Sequence, residues 1–459
     1  MENITAIVLA AGSGKRMKSR SAKVLNEICG KAMIDYVRES IINSGILDTV
    51  VVVGHKKEDV MDHLKDSVRY AVQEEQLGTG HAVSVACDYL KEECDCVVVL
   101  CGDTPLITYK TIVDIIKYHK DNKCSATILC ACFDKPDGYG RVIRNNDGSV
   151  IKIVEEKDAS IEERLVKEIN SGIYCFDVKS LKDAIINVKS NNSQGEYYLT
   201  DTIEILIKSG KKVGAKVVSN NDEIFGVNDK VQLEKANRVM RKRINERHMS
   251  NGVTFIDSDL AYIEDSVTIG KDTVIYPNTI LEGDTSIGEG CVIGPNSKIV
   301  SSSIKDNVVV NSSEVLESCI DSNTKVGPFS YIRPNSRIGS NVKIGDFVEI
   351  KKSSVGDNTK ISHLTYVGDA KVGSGVNLGC GVVVVNYDGI KKYETTIGDN
   401  SFVGCNVNLI SPVSIDKDTF IAAGSTITDN VPKDSLAIAR VRQTIKKDWV
   451  TKRKKDKKG

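Results

Sequence analysis

Val267-Thr268-Ile269-Gly270-Lys271-Asp272-Thr273-Val274-Ile275-Tyr276-Pro277-Asn278-Thr279-Ile280-Leu281 carries an aliphatic residue at every sixth position: Ile269, Ile275 and Leu281. The same beat starts at Ile263 and runs through Ile287, Ile293, Ile299, Ile304, Val310, Val315, Ile320, Val326, Ile332, Ile338, Ile344 and Ile350. It continues through Val355, Ile361, Val367, Val372, Leu378 and Val384, pauses, and resumes from Ile397 through Val403, Leu409, Ile415, Ile421 and Ile427. Glycine often follows the aliphatic residue, as in Ile269-Gly270, Ile287-Gly288, Ile344-Gly345 and Val403-Gly404. A hexapeptide period sustained this long marks a β-solenoid, with one short strand and one turn per repeat.

Three hexapeptides close one triangular coil, so the stack resembles a left-handed parallel β-helix, an exception to the usual right-handed crossover. Its narrow aliphatic interior leaves little room for aromatics, which are only 5% of the chain, and its turns account for 36 Gly against 8 Pro. Residues 385–396 break the period and are expected to leave the prism as an extruded loop, a common carrier of function on a rigid scaffold.

Outside the solenoid, residues 1–228 alternate short β-branched runs (5–10, 49–53, 96–100, 126–130) with helical stretches such as 111–119. That alternation predicts an α/β domain, a mainly parallel sheet with helices on both faces and ligands beyond the carboxyl ends of the strands. Residues 229–250 read as a helix: Asp229 caps it, Leu233, Ala236, Met240 and Ile244 form its apolar stripe, and Asn251-Gly252 stops it. The reading is therefore an α/β domain at 1–228, a linker helix at 229–250, a left-handed β-helix at 251–445 and a basic tail without order at 446–459.

The 459 residues hold 62 Lys plus Arg and 62 Asp plus Glu. The zero balance is a cancellation, with −4, +4, −6 and +6 in those four segments, so no domain-wide basic surface points to nucleic acid. No apolar run reaches the ~18 residues of a membrane span. The N-terminus lacks the basic region and long apolar core of a secretory signal. None of the 13 Cys sets up a metal or redox CxxC pair in Cys94/Cys96 or Cys130/Cys132, so the thiols are expected to fill cores in a reducing cytoplasm.

Leu9-Ala10-Ala11-Gly12-Ser13-Gly14-Lys15-Arg16-Met17 follows the first predicted strand. A dinucleotide GxGxxG would need Gly where Met17 stands, and a P-loop would need Gly at Leu9 and Ser or Thr at Arg16. Two readings remain: a turn whose backbone N–H groups cradle phosphate, with Arg16 and Lys23 adding charge, or an ordinary tight turn with solvated cations.

This loop resembles that of the nucleotidyltransferases that make nucleotide-sugars. Further matches are Gln73-Glu74-Glu75-Gln76-Leu77-Gly78-Thr79-Gly80-His81-Ala82, Gly102-Asp103, Gly138-Tyr139-Gly140-Arg141, Ile153-Val154-Glu155, Glu168-Ile169-Asn170-Ser171-Gly172 and Gly226-Val227-Asn228. Together with His363-Leu364-Thr365-Tyr366-Val367-Gly368-Asp369-Ala370 and Asn386-Tyr387-Asp388-Gly389, nearly the whole chain except the tail resembles one family. It is the family of bacterial bifunctional N-acetylglucosamine-1-phosphate uridyltransferases and glucosamine-1-phosphate N-acetyltransferases. The resemblance implies synthesis of UDP-N-acetylglucosamine from glucosamine-1-phosphate, acetyl-CoA and UTP, for cell-wall and envelope polysaccharides.

Position by position, the resemblance implies that Leu9, Ala10, Ala11, Gly12, Gln73, Gly78 and Thr79 hold the nucleotide and that Arg16 and Lys23 neutralise its triphosphate. Gly140, Glu155 and Asn170 would bind the sugar. Asp103 and Asn228 would coordinate Mg²⁺, which takes hard oxygen ligands, and Asn228 would also belong to the nucleotide-sugar site. Attack of the sugar phosphate on the α-phosphorus of UTP needs positioning and charge neutralisation, not a side-chain nucleophile. The chain departs from the family pattern at Lys15, usually Thr, and at Ala22, commonly Pro.

Of six His, only His363 falls in the hexapeptide region, which excludes a three-histidine metal site of the carbonic anhydrase kind on this scaffold. A lone imidazole is a natural general base for N-acetylation, and also an ordinary hydrogen-bonded surface residue. The resemblance assigns catalysis to His363 and glucosamine-1-phosphate to Arg333, Lys351, Tyr366, Asn377 and Lys392. It assigns acetyl-CoA to Cys380, Asn386, Tyr387, Cys405, Ala423 and Arg440, with Cys380 and Cys405 departing from the usual Ala and Ser. Solenoids of this kind associate as homotrimers, by analogy of fold, so Lys392 could serve a neighbour's site. Two rivals are a single-function sugar nucleotidyltransferase with a structural solenoid and a non-catalytic scaffold; His363-Leu364-Thr365-Tyr366 with Asn386-Tyr387-Asp388-Gly389 argues against both.

Overall fold

The computed structural model describes residues 3–456. The chain divides into two units, and the boundary falls inside a single helix, between Arg241 and Lys242.

In the first unit the predicted runs at 5–10, 49–53, 96–100 and 126–130 form strands buried on both faces, as a sheet sandwiched by helices requires. They are β1 (Ile4–Leu9), β2 (Asp48–Val53), β4 (Cys96–Cys101) and β5 (Ala126–Cys132), with β3 (Arg69–Val72) a half-buried edge strand. Next come the pair β6 (Arg141–Arg144) and β7 (Val150–Val154), then β8 (Glu168–Asp177) and β9 (Val213–Val217). The order is β9-β5-β8-β4-β1-β2-β3, with β6 pairing both β8 and β7. β4-β1-β2-β3 and β9-β5 are parallel, while β8 runs antiparallel between β4 and β5.

Alternation along the strands divides the core. Ala6, Val8, Val98 and Leu100 pack on one face beneath helices α1 (Met33–Asn43) and α3 (Tyr109–Asp121). Ile7, Val97 and Val99 pack on the other against α2 (Thr79–Cys87), α4 (Val178–Ile185) and α5 (Asp201–Lys208). Cys96 and Cys175 lie with their sulfurs 3.0 Å apart, and His119 of α3 is buried with its Nδ1 3.0 Å from Thr127 Oγ1. Burial pushes the His119 imidazole down to about 4, keeping it neutral.

Helix α6 spans Lys230–Ser250. Asp229 Oδ1 accepts from the Gln232 N–H at 2.8 Å, and the Gln232 side chain in turn accepts from Asn228 N–H at 2.7 Å. Ala236, Met240 and Ile244 are buried, and Gly252 beyond the end has φ +93°.

The hexapeptide region is a left-handed β-helix. Among the described residues its three parallel sheets hold eleven, ten and nine strands. Until the last coil, each strand pairs with the third one on, so that Ile263 faces Leu281, Ile344 faces Ile361 and Leu378 faces Val403. The aliphatic beat fills the axis, with Ile299, Val315, Ile361 and Leu409 fully buried. Corners are turned by left-handed residues, often Asn (Asn278, Asn296, Asn341, Asn358), whose short polar side chain tolerates positive φ. Phe329, Phe347 and Leu364 break that rule on three successive coils and stand more than half exposed. The two Phe rings stack at 5.5 Å. The pause in the period is a loop between strands Val383–Val385 and Thr395–Ile397.

In the lysine-rich tail, expected to lack order, Trp449–Asp456 forms helix α7. The guanidinium of Arg453, one turn on, stacks over the Trp449 ring at 5.0 Å, a local cation–π contact that the charge count alone does not register.

Candidate active sites

In the first unit, a cavity of about 330 Å³ opens beyond the carboxyl ends of β1 and β4. Its lining includes Leu9, Ala10, Ala11, Gly12, Lys23, Gln73, Gly78, Thr79 and Asp103. Nine residues expected to handle the nucleotide are thus brought to one cavity from separate segments of the chain. Thr79 opens helix α2, and the residue before it must be glycine: Gly78 has φ +111°, and a Cβ there would lie 2.6 Å from the Tyr197 carbonyl. Gln73 is buried and donates from Nε2 to the Gly78 carbonyl at 3.1 Å.

At the charged end, Lys23 Nζ forms an ion pair with Asp103 and donates to Asn228 Oδ1 at 2.8 Å, where Arg16 also donates at 3.0 Å. The Asp103 and Asn228 oxygens therefore converge on one cationic atom. This hard, oxygen-only donor set also suits a small divalent cation.

Gly140, Glu155 and Asn170 lie outside that lining but group together. Asn170 N–H donates to the Gly140 carbonyl at 2.9 Å, and Glu155 accepts from the Thr200 hydroxyl at 3.2 Å. Burial raises the Glu155 carboxyl. The cavity further includes Gln76, Cys101 and Glu196, none singled out as a site residue. Gln76 lies inside a quoted motif, whereas Glu196 comes from a loop with no sequence signal. Burial and the nearby Asp103 push the Cys101 thiol up to about 12, so it supplies no thiolate nucleophile.

On the solenoid, candidate residues form two columns. His363 ends strand Lys360–His363, and its register partner one coil earlier is Asp346. Ladder hydrogen bonds carry that corner forward: Leu364 N–H to Asp346, Gly381 N–H to Leu364, Asn406 N–H to Cys380 and Gly424 N–H to Cys405. Asp346, His363, Cys380, Cys405 and Ala423 thus follow one another up a single edge. At its end a Cβ on Gly424 would lie 3.8 Å from Arg440. Asn377 sits one coil above Lys360.

The second column crosses the adjacent sheet, where Tyr331, Glu349 and Tyr366 are in register. Arg333 pairs with Glu349 at 2.8 Å, Lys351 pairs with Asp369 at 3.3 Å, and Asn386 donates to the same Asp369 carboxylate at 2.6 Å. Lys392, from the extruded loop, lies against Lys351. Its hydrogen bond with Lys392 and the Asp369 carboxylate hold Lys351 above the ordinary lysine range, while Lys392 is pushed below it by the Lys351 ammonium. Tyr387, at the start of the extruded loop, donates from its hydroxyl to the Gly389 carbonyl at 2.7 Å, a bond within that loop. Asp346 and Glu349 escaped the sequence reading because each looks like a solvated turn or strand carboxylate until the coils are stacked, and Asp369 stood inside a quoted motif without a role.

Residues 5–222 match the nucleotidyl transferase family, 266–301 the six-repeat bacterial transferase hexapeptide, and 315–437 the GMPPB C-terminal domain. Fold and sites together define a two-function transferase, a nucleotidyltransferase joined to a hexapeptide acyltransferase. A bifunctional protein GlmU from Acetivibrio thermocellus is 63% identical, covering 99% of this chain and 98% of its own. Those of Clostridium kluyveri and Clostridioides difficile are 56% and 51% identical, each covering 98% of both chains. The chain belongs to the bifunctional GlmU family, which serves UDP-N-acetylglucosamine synthesis. Among the described residues no helix is long and apolar enough to cross a membrane.

Proposed function

We propose that the solenoid edge acetylates glucosamine-1-phosphate from acetyl-CoA and that the N-terminal cavity then transfers uridylyl from UTP to the N-acetylated product. The observation that carries this reading is the group of cations Arg333, Lys351 and Lys392 gathered with Tyr366 beside the His363 edge, a donor set that suits a sugar phosphate. His363 takes a proton from the amine as it attacks the thioester carbonyl. Arg333, Lys351, Tyr366, Asn377 and Lys392 hold the sugar phosphate. Acetyl-CoA lies along Cys380, Cys405 and Ala423 toward Arg440, with Asn386 and Tyr387 at the base of the loop.

In the cavity, Leu9, Ala10, Ala11, Gly12, Gln73, Gly78 and Thr79 enclose the nucleotide, and Gly140, Glu155 and Asn170 orient the sugar. Lys23 and Arg16 neutralise the triphosphate, and Asp103 and Asn228 would hold Mg²⁺. The ion would supply further neutralisation of the phosphates. The sugar-phosphate oxygen attacks the α-phosphorus in line, and pyrophosphate leaves.

The exposed ladder Phe329, Phe347 and Leu364 supports a trimer, since a second copy seated there would cover apolar surface beside His363. All 13 cysteines are free thiols, which supports a reducing cytoplasm.

The test is an order-of-addition assay. Glucosamine-1-phosphate with acetyl-CoA should release free CoA without nucleotide. Pyrophosphate should appear only after UTP and Mg²⁺ follow. Pyrophosphate release from glucosamine-1-phosphate and UTP at the same rate without acetyl-CoA would overturn the order.

A further inference from the structure

Strand Lys343–Asp346 lies one coil before Lys360–His363, and both end at the same corner. There Asp346 Oδ1 approaches His363 Nδ1 to 2.5 Å. The Leu364 N–H donates to the Asp346 carbonyl at 2.9 Å, locking the offset of the two residues. Gly345 lets the coils close up, since a Cβ there would fall 1.9 Å from the Ser362 carbonyl. The side-chain pair is thus set by backbone register, not by two side chains meeting in solvent.

We propose that Asp346 is the positioning residue of acetyl transfer, holding the His363 imidazole with its proton on Nδ1 so that Nε2 presents the lone pair to the substrate amine. This rests on the reading of His363 as the base. A carboxylate against one ring nitrogen selects the tautomer that donates to it and fixes the ring plane. The N–C bond then forms as the amine proton passes to Nε2. The C–S bond breaks, and the departing CoA sulfur takes that proton back. Between the two transfers the imidazolium stands 2.5 Å from a carboxylate. The hydrogen bond to His363 holds the Asp346 carboxyl below the usual carboxylate range, so it is charged wherever the amine is a nucleophile.

Other charges nearby are Lys343, whose charge acts on Asp346, and Lys360, the register partner of Lys343. The next coil brings uncharged Asn377 and Leu378. An exposed ion pair with no catalytic part is the competing reading, because both side chains are more than a third exposed and such pairs contribute little to stability.

The test is Asp346→Asn in the full chain, with kcat and KM of acetyl transfer measured beside uridylyl transfer as a control for folding. Expected is a fall of about 10- to 100-fold in kcat with KM for glucosamine-1-phosphate nearly unchanged. Asp346→Glu should restore part of the rate. Unchanged kcat in Asp346→Asn would overturn the positioning role. Should Asp346→Asn fail to fold, ¹⁵N shifts of His363 in the unsubstituted protein decide it: a protonated Nδ1 supports the dyad, a protonated Nε2 refutes it. His363→Asn separates the two ideas, because full acetyl transfer in that variant would refute the base reading itself.

Discussion

The N-terminal cavity and the solenoid edge, the two sites proposed for the two transfers, gather their residues in opposite ways. The cavity draws on the loop after β1, on Lys23, on the Gln73 to Thr79 segment and on Asp103, stretches far apart in the chain. The edge uses residues spaced by one coil, so that Asp346, His363 and Cys380 come together because the repeat stacks them. Both store charge in pairs, Lys23 with Asp103 in the cavity and, on the edge, Arg333 with Glu349 and Lys351 with Asp369. Lys392 stands apart from that pattern, placed against Lys351 by the extruded loop and not by the repeat.

The largest expected effect tests whether the two sites are independent. His363→Ala should lower acetyl transfer by about 10²- to 10⁴-fold and leave uridylyl transfer to N-acetylglucosamine-1-phosphate intact. Asp103→Ala should do the reverse, costing about 10²- to 10³-fold in uridylyl transfer. Separate assays of the two half-reactions check both, and loss of both activities from either substitution would break the contrast.

A smaller effect separates the two sites by thiol chemistry. Cys405 is exposed and Cys380 half-buried on the edge, whereas Cys101 in the cavity has its thiol pushed up to about 12. Alkylation at neutral pH should therefore impair acetyl transfer several-fold, with protection by acetyl-CoA, and spare uridylyl transfer. Mass spectrometry locates the adducts; full acetyl transfer with both thiols modified would refute the placement of acetyl-CoA.

The smallest effect is one the two units share. Each buries one histidine, His119 in the first and His248 in the second, with burial pushing both imidazoles from 6.5 down to about 4. The unfolded chain binds those protons at higher pH than the folded one, so stability should fall as pH drops from about 6.5 toward 4. Melting temperatures recorded between pH 7 and 5 should decline by a few degrees, and His119→Leu should flatten the decline for the N-terminal unit only. An equal slope in that variant would remove His119 from the explanation.

Much of this was legible before any coordinates. Helix α6 begins and ends where Asp229 and Gly252 say it should, and the strand pairings of the solenoid follow the aliphatic beat. The antiparallel insertion of β8 was not legible, because a strand's direction leaves no mark on its own residues. Nor was the helix of the tail, along which Arg453 stacks over Trp449. In the cavity, Glu196 carried no signal, since a loop residue gains its neighbours only when distant segments close around it.

What the sequence by itself determined was the architecture, an α/β domain followed by a hexapeptide prism, and through motifs the family. Period and alternation are local properties that survive without folding. Only the tertiary structure decided that Lys23 meets Asp103, that Lys392 lies against Lys351 and that Asp346 stands behind His363. Such pairs join residues far apart along the chain, and the hydrogen bonds that bind them exist only at distances near 3 Å, which packing alone sets.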